Sequence, residues 1–396
     1  MKRFLPFLMI LLVILPAGLA AQGWTFHGSA KNSIYSYESD KTHTRIYQYA
    51  RFHLANSQNT LALSSSLRAL TDANQSLDSD QRFKMYLFDL RIKDLFQHRL
   101  SLSLGRQFLH PGTVLGGLDG VNGDLAIAKN LSLQFYGGVE SNFLRSFDLY
   151  KTSERLVSGG LLQLDELAAS TFQLLYLRKS DSDGAYWHLS GLNVDSRILS
   201  DTRFKLQAHY DLENDRWHRL LLSARRSWNS QLMTTLEIKS QYPQVYANSF
   251  FTIFEPKPYN RYRLGGTFEF SPGYFIDAQY QLIRFEEDDA SQIFLSLQNG
   301  HGSLGMIYES GYAGDQLGMM FDYGREIIKN LLASVYVDYS KYRTETVYEY
   351  DDQIANAARL SYRFSRNLSV DVEYQWLTNK FKENDSRFLN HISYLW

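Results

Sequence analysis

The sequence predicts an all-β fold: one large transmembrane antiparallel up-and-down β-barrel. Apolar and polar residues alternate with a period of two from Trp24 to Trp396, which is typical of strands with one apolar and one polar face. Aromatic residues recur near the ends of these segments, as the interfacial girdles of a membrane barrel require. The last segment alternates in the same way and ends on an aromatic residue. Alternation alone also fits a soluble sheet, so the three features together support the prediction.

The composition excludes several other classes. The 396 residues carry 41 Lys+Arg against 42 Asp+Glu, whereas a nucleic-acid binder would carry a basic excess. Aromatic residues make up 15% of the chain and there are only 7 Pro, which excludes a disordered chain. With 0 Cys, the sequence offers no disulfide framework, Cys-ligated metal site or thiol nucleophile. The mean hydropathy of −0.33 is too polar for a bundle of membrane helices.

Residues 1–20 predict a secretory signal peptide. A basic Met1-Lys2-Arg3 precedes an apolar stretch over 4–15, and small residues lead to a cleavage site after Ala20. An apolar stretch of about 12 residues is short against the roughly 20 that a membrane helix needs. The remaining chain, 21–396, is expected to form one barrel domain. Trp24 already belongs to the first strand, so we expect no plug domain in front of it.

Breaks in the alternation give the strand number. Ten short turn-like breaks separate eleven longer polar ones, which predicts about 22 strands, and any even number from roughly 16 to 22 fits the pattern. The short breaks fall near Ser57, Phe96, Lys129, Ala168, Ser200, Asn229, Pro272, Gly300, Ile328 and Arg366. Because hydrocarbon offers no hydrogen-bond partners, such a sheet must close on itself. Its polar face then lines a lumen.

The terminal strand carries an assembly motif. Ile392, Tyr394 and Trp396 alternate up to the last residue, and this pattern resembles the C-terminal signal of bacterial outer-membrane barrels. Together with a Sec-type signal peptide, the resemblance implies export to the bacterial outer membrane. It also implies contact with outer-membrane lipid and lipopolysaccharide, and recognition by the barrel assembly machinery.

The polar face carries charges in sectors. The first strands and the middle strands are basic, and the last strands are more acidic. Opposed walls of this kind would create a transverse field that orients polar solutes and filters ions. Alternatively, the charges only hydrate a wide lumen and pair across strands. The candidates are Arg45, Arg51, Arg68, Arg91, Arg219, Arg225, Arg261, Arg263, Asp277, Glu309, Asp322, Asp338, Asp371 and Glu373.

The segment from Pro243 to Pro258 is the longest predicted outer loop and is unusually apolar. It contains Phe250, Phe251 and Phe254, so it is a candidate for folding into the lumen as a constriction. The alternatives are an extracellular lid, or strands that continue above the membrane.

A glycine-rich segment resembles a hairpin that recurs in uncharacterised porin-like outer-membrane barrels. It runs from Gly105-Arg106-Gln107 through Gly116-Gly117-Leu118-Asp119-Gly120 to Gly137-Gly138, about 35 residues. Arg106 falls in the apolar phase of its strand. It is therefore expected either at the rim above the hydrocarbon or on a bulge that turns it inward. The glycines alternatively only permit a tight turn and close packing.

Two further features are candidate sites. The acidic run 286–289 would suit Ca²⁺ or a divalent bridge to lipopolysaccharide, or else it is a solvated loop. Four histidines, His43, His110, His188 and His218, lie near predicted outer ends. None forms a recognisable pair with a nucleophile-bearing motif, so we expect no enzyme, no metal and no cofactor.

The resemblance to porins implies a channel for passive diffusion of small polar solutes or ions through a charged, water-filled lumen. The alternatives are a scaffold barrel that sheathes a partner protein and, less favoured, a hydrolase active at the rim. No nucleic-acid partner is expected. A homo-oligomer is possible, since trimers are familiar among porins.

Overall fold

The computed structural model describes residues 23–39, 41–109, 116–143, 145–243, 257–312, 314–343 and 348–396. Its elements are long strands joined by short turns on one side, while the longest connections lie on the other side. The signal peptide predicted over 1–20 lies outside the described residues and stays a prediction.

The described residues form 22 strands. The first half comprises β1 (Trp24–Glu38), β2 (Thr42–Asn56), β3 (Leu61–Asp72), β4 (Phe83–Asp94), β5 (Leu100–Leu109), β6 (Gly116–Ala128), β7 (Leu131–Glu140), β8 (Leu156–Leu167), β9 (Ser170–Asp181), β10 (Gly184–Leu199) and β11 (Thr202–Asp211). The second half comprises β12 (Arg216–Ser227), β13 (Leu232–Gln241), β14 (Tyr259–Ser271), β15 (Tyr274–Arg284), β16 (Asp289–Asn299), β17 (Gly302–Gly311), β18 (Gly314–Ile328), β19 (Leu331–Arg343), β20 (Asp351–Arg363), β21 (Leu368–Asn379) and β22 (Lys382–Leu395).

Three one-turn helical segments lie between strands: α1 (Ser79–Arg82), α2 (Leu95–His98) and α3 (Thr152–Arg155). Among the described residues, no helix is long and apolar enough to cross a membrane. Every other regular element of the described chain is a strand of the same sheet.

The sheet closes on itself. Each strand pairs antiparallel with the next, and β1 pairs antiparallel with β22 over Ser29–Ser36. At the end of this seam, Gly28 and Trp396 exchange two backbone hydrogen bonds of 3.1 and 3.2 Å. The Trp396 ring stacks on Phe26 with centroids 6.0 Å apart. Closure leaves no open sheet edge, which is the condition for a sheet in hydrocarbon.

The 22-strand prediction is confirmed. Ten short connections lie on the side of both chain ends, and the eleven others lie on the opposite side. The shortest turns on the terminal side hold only two residues, as at 300–301 between β16 and β17. Since short turns of such barrels face the periplasm, the side with the longer loops is the outer side.

The two faces of the wall differ sharply in chemistry. On one face, large apolar side chains are open to the surroundings; Leu264 is 57% exposed and Ile293 is 52% exposed. Along β15 this face presents Tyr274, Ile276, Ala278 and Tyr280, so aromatic residues flank a purely aliphatic stretch. In water this surface would be unfavourable, so it is the lipid-facing surface. The other, polar face is the lumen face.

Arg106 lies in the apolar phase of its strand, but its side chain is not exposed on the apolar face. The pairing of β4, β5 and β6 shows no register shift at Arg106, which stays opposite Phe88 and Asp119. Its guanidinium nevertheless is almost fully buried. It donates to both Asp119 carboxylate oxygens at 2.7 and 2.6 Å, and to the Ser146 carbonyl at 2.7 Å. The loop between β7 and β8 therefore covers this ion pair near the outer end of the wall.

Gly105 makes this arrangement possible. Its φ is +118°, and a Cβ there would lie 2.2 Å from the Phe88 carbonyl oxygen. Any larger residue would push β5 away from β4. No bulge turns Arg106 inward; it lies near the outer end of the wall, where the loop between β7 and β8 buries it.

We expect Gly28→Val to impair closure of the barrel. A Cβ at Gly28 would lie 2.5 Å from the Trp396 ring, which is already fixed against Phe26. The folded fraction after refolding should fall, as measured by heat-modifiable mobility in gels. The control is Gly137→Val on the same face, where the nearest atom to an added Cβ is 3.9 Å away. Equal folded yields of the two variants would contradict this role of the seam.

We expect Arg106→Ala to lower the free energy of unfolding by about 3–5 kcal/mol, because it leaves the buried Asp119 carboxylate without its cation. Arg203→Ala is the control, since Arg203 forms a similar two-bond pair with Asp195 in the open. Its cost should be only about 0–1 kcal/mol. Urea unfolding in detergent micelles measures both. Similar costs for the two variants would show that burial of the Arg106 pair does not matter.

Candidate functional site

The charged candidates all occupy positions in the lumen-facing phase of their strands. Arg51, for example, is paired with Ser29 and Ser66, and Arg263 is paired with Glu237 and Gln281. The structure thus places side by side residues that are far apart in the sequence. Whether these residues set selectivity is a separate proposal. The set is Arg45, Arg51, Arg68, Arg91, Arg219, Arg225, Arg261, Arg263, Asp277, Glu309, Asp322, Asp338, Asp371 and Glu373.

The basic sector of β11–β14 is organised around one carboxylate that the sequence analysis did not single out. Glu237 accepts from Arg261 at 2.5 Å and from Arg263 at 2.7 Å, and its side chain is almost fully buried. One negative charge therefore holds two guanidinium groups, so the local charge stays positive. The Nε atom of Arg219 is buried without a hydrogen-bond partner. This wall of the lumen remains electropositive.

The acidic sector of β15–β21 is held mainly by neutral donors. Glu309 accepts from Gln292 at 2.9 Å, and Asp338 accepts from the Tyr336 hydroxyl at 3.1 Å. Asp322 accepts from Ser303. Neutral donors stabilise a carboxylate without cancelling its charge, so these positions leave the wall electronegative.

Asp371 is the exception in this sector. It accepts from Arg359 at 2.9 Å and from the Ser361 hydroxyl at 2.5 Å. Glu373 accepts from the Gln375 amide at 2.5 Å. Some lumen charges thus pair across strands, as expected if the charges only hydrate a wide lumen, while others do not.

Tyrosines accompany the arginines on the lumen face of the first strands. The Arg45 guanidinium lies over the Tyr37 ring at 5.4 Å, and the Arg68 guanidinium lies over the Tyr47 ring at 5.8 Å. Tyr47 stacks in turn on Tyr49, with centroids 6.2 Å apart. Such contacts fix the long side chains while leaving the positive charge exposed to solutes. Only the register between strands shows which arginine each tyrosine meets.

The outer half of the lumen face of β6–β10 is closely packed. Leu118, Tyr136, Val157, Leu177 and Leu189 form a buried apolar cluster there. The lumen wall is therefore uneven around its circumference, with one closely packed sector between two charged ones.

A buried ion pair lies beside this cluster. Lys179 donates to Glu140 at 2.6 Å, with the Lys179 side chain only 4% exposed. The Lys179 ammonium also lies over the Trp187 ring at 4.7 Å. Because its charge is matched and its side chain is buried, Lys179 adds little to the field that a solute meets.

The outer rim is tied by ion pairs between neighbouring loops. Arg343 donates to Asp315 at 2.5 and 2.8 Å, joining the ends of β18 and β19. Lys380, in the turn between β21 and β22, donates to Asp351 at 2.6 Å. This hydrogen bond to a carboxylate raises the pKa of the Lys380 ammonium.

The histidines do not assemble a nucleophile relay within the described chain. At the outer end, His43 bonds Asp72 at 2.8 Å and His188 bonds the Tyr176 hydroxyl at 3.0 Å. His218 is buried at the outer end of β12. His110 lies outside the described residues.

Two serine–histidine pairs occur on the lumen face and were missed by sequence reasoning. His53 bonds the Ser64 hydroxyl at 2.9 Å, and His391 bonds the Ser33 hydroxyl at 2.8 Å. In the described chain neither imidazole is also hydrogen-bonded to a carboxylate. A serine nucleophile needs a base that is oriented by a third group, so neither pair forms a complete triad.

The structure provides less information about the two candidate loops, the predicted constriction and the acidic run. Phe250, Phe251 and Phe254 lie outside the described residues, so the proposed constriction stays a prediction. The acidic run 286–289 is described in full. Over the described ranges, no group of three or more His, Asp or Glu residues is arranged to hold a metal ion.

Comparison with known proteins returns only distant structural likenesses. No protein-family model and no curated protein matches the sequence. The crystal structure of Acinetobacter baumannii OccAB4 is 11% identical and covers 94% of this chain and 97% of that one, with a TM-score of 0.47. Pseudomonas aeruginosa OccK5 (OpdH) is 10% identical over 94% and 98%, with a TM-score of 0.48. Pseudomonas aeruginosa OccK3 (OpdO) is 11% identical over 97% and 99%, with a TM-score of 0.46.

The architecture of the chain itself identifies its setting. A closed antiparallel sheet with short turns on the side of both termini, an apolar outer face and a polar inner face is a transmembrane β-barrel.

We expect Glu237→Gln to raise the preference of the lumen for anions. The change removes the one carboxylate that Arg261 and Arg263 share. A unit charge a few ångströms away in water is worth about 1 kcal/mol, so the anion-to-cation permeability ratio should rise roughly two- to fivefold. The measurement is the reversal potential in a planar bilayer under a KCl gradient, which should move toward the chloride equilibrium potential. Glu287→Gln in the exposed outer loop is the control. A shift of equal size in both variants would show that Glu237 has no specific effect on the ion preference of the lumen.

Proposed function

We propose that this porin-like outer-membrane barrel is a passive channel for small polar solutes and ions. Solutes would diffuse through a water-filled lumen, and the charges of its walls would select among them. The proposal rests on one observation, the separation of unbalanced charges on the lumen face. Positive charge dominates β12–β14, and negative charge dominates much of β15–β19.

The physical basis is a field across the lumen. Low-dielectric walls of opposite charge focus the field between them. A polar solute that aligns its dipole across the channel therefore lowers its electrostatic energy. A narrow water-filled passage keeps this field less screened than bulk solution does. The walls therefore act on every solute in transit without a binding step.

The arrangement of the lumen charges also favours rapid passage of solutes. Most of the lumen charges are held by neighbouring hydroxyl, amide or guanidinium groups, and these contacts fix their positions in advance. Conduction requires interactions that are strong enough to admit a solute and weak enough to release it. Fixed, solvated charges meet that requirement better than a closed, dry pocket would.

The sheath and the rim hydrolase remain the competing functions. A sheath needs a partner that fills the lumen, so the isolated barrel would conduct as a wide pore with little charge selectivity. A rim hydrolase needs a nucleophile relay, and the histidines of the described chain lack one.

The test is single-channel recording of the purified, refolded protein in a planar bilayer under a salt gradient. Discrete current steps with a non-zero reversal potential are expected. In the double variant Arg219→Glu with Arg263→Glu, the permeability ratio should shift toward cations by at least about tenfold, because four charge units change in the basic sector.

The control for this variant is Arg226→Glu on the same strand as Arg219. Arg226 lies in the lipid-facing phase of β12, where its guanidinium packs on the Trp228 ring at 4.1 Å. It should leave the reversal potential nearly unchanged. Absence of current steps from folded protein would overturn the channel proposal, and an unchanged reversal potential in the double variant would overturn the role of the charged walls.

A further inference from the structure

Four carboxamide side chains form a row across the lumen face of β8–β11. Gln163 is paired with Gln173, Gln173 with Asn193, and Asn193 with Gln207. Neighbouring strands lie about 4.8 Å apart, so the row spans roughly 14 Å at one level of the wall. A row of this kind repeats the same pair of groups, one hydrogen-bond donor and one acceptor, at regular intervals.

Hydrogen bonds run head to tail along this carboxamide row. His209 Nε2 donates to Asn193 at 2.8 Å, and Asn193 donates to Gln173 at 3.2 Å. Gln173 donates to Gln163 at 2.8 Å, and Gln163 donates to Asp165 at 2.8 Å. The chain fixes the orientation of three amides before any ligand arrives. Each of Gln163 and Gln173 keeps a second amide N–H and a second lone pair that these bonds do not use.

Gln207, at the end of the row, has an unsatisfied hydrogen-bond acceptor. Its carbonyl oxygen is buried without a donor, and the residue is only 8% exposed. An unsatisfied buried acceptor is unfavourable. A ligand hydroxyl that donates to this oxygen would supply the missing hydrogen bond.

The surrounding pocket is balanced in charge. It has a volume of about 590 Å³, within the range of small-molecule sites, about 300–1,000 Å³. Besides the amides, its charged lining residues are Asp165, Glu166, Asp195, Arg197, Arg203 and Lys205. Acids and bases are equal in number, and two of them, Arg203 and Asp195, pair at 2.5 and 2.8 Å. Unlike β12–β14, this part of the wall favours neither anions nor cations.

We propose that the carboxamide row is a binding subsite for a neutral polyhydroxylated solute, such as a sugar or a polyol. Each hydroxyl both donates and accepts, as each carboxamide does, so vicinal hydroxyls match neighbouring amides without any charge. An anionic solute would meet the carboxylates of the pocket and lose hydration for no net attraction. This inference rests on the proposed channel, since it names a class of solute that would pass through it.

The experiment measures sucrose binding to the refolded full barrel in deuterated detergent micelles by saturation-transfer NMR. The wild type should show saturable binding that is stronger than binding of gluconate, a polyhydroxylated anion. Gln207→Leu keeps the shape of the side chain but removes its amide, so sucrose affinity should fall roughly three- to tenfold, as for one lost hydrogen bond. The same variant should not lower the urea midpoint of unfolding, because it removes an unsatisfied group.

Gln279→Leu is the matched control, a carboxamide on the lumen face of β15 and outside the pocket. It should leave sucrose binding unchanged. Absence of saturable sucrose binding, stronger binding of gluconate, or equal losses in the two variants would overturn the subsite. Because binding is read without current, a barrel that conducts but does not bind sucrose refutes only this inference. A folded barrel without current steps refutes the channel itself.

Discussion

The hydrogen bonds of the β1–β22 seam are the interaction on which the rest of the structure depends. Hydrocarbon supplies no partner for a backbone N–H or C=O, so an open edge there would cost several kcal/mol for each unpaired group. Pairing the first strand with the last removes both edges at once. Antiparallel pairing of the two then requires an even number of strands and places both chain ends on one side. The Trp396 ring against Phe26 anchors that seam at its inner end.

Closure divides the side chains into two environments that obey different rules. The outer face needs only apolar area, and many sequences satisfy it. The lumen face must satisfy charges and amides individually, and it does so with local partners: Glu237 between two arginines, hydroxyl and amide donors on the carboxylates, and a chain of amides beside the basic sector. Different partners leave different net charges, which is why neighbouring sectors of one wall offer a solute different surfaces.

The alternation rule is least informative where a loop folds back on the wall. Arg106 follows the apolar phase of β5 and yet is buried in an ion pair, because the loop after β7 replaces lipid as its surroundings. Strand periodicity describes which way a side chain points, but not what covers it. The same limit applies to the buried cluster around Leu189 and to the two serine–histidine pairs. The register between paired strands brings their members together, over 11 residues for His53 and Ser64 and over 358 for His391 and Ser33.

The sequence by itself determined the fold class and the face on which each charged candidate lies, limited the strand number to an even value from roughly 16 to 22, and predicted an outer-membrane setting. All of these follow from a period of two interrupted by turns, which is local information. The tertiary structure decided which residues meet. Glu237 lies 24 residues before Arg261, and only the offset between β13 and β14 makes it their shared acceptor. The carboxamide row likewise needs four strands in one register, and its unsatisfied member, Gln207, differs from the others only in what surrounds it. Register and burial are properties of the closed sheet as a whole, so no segment of the sequence encodes them alone.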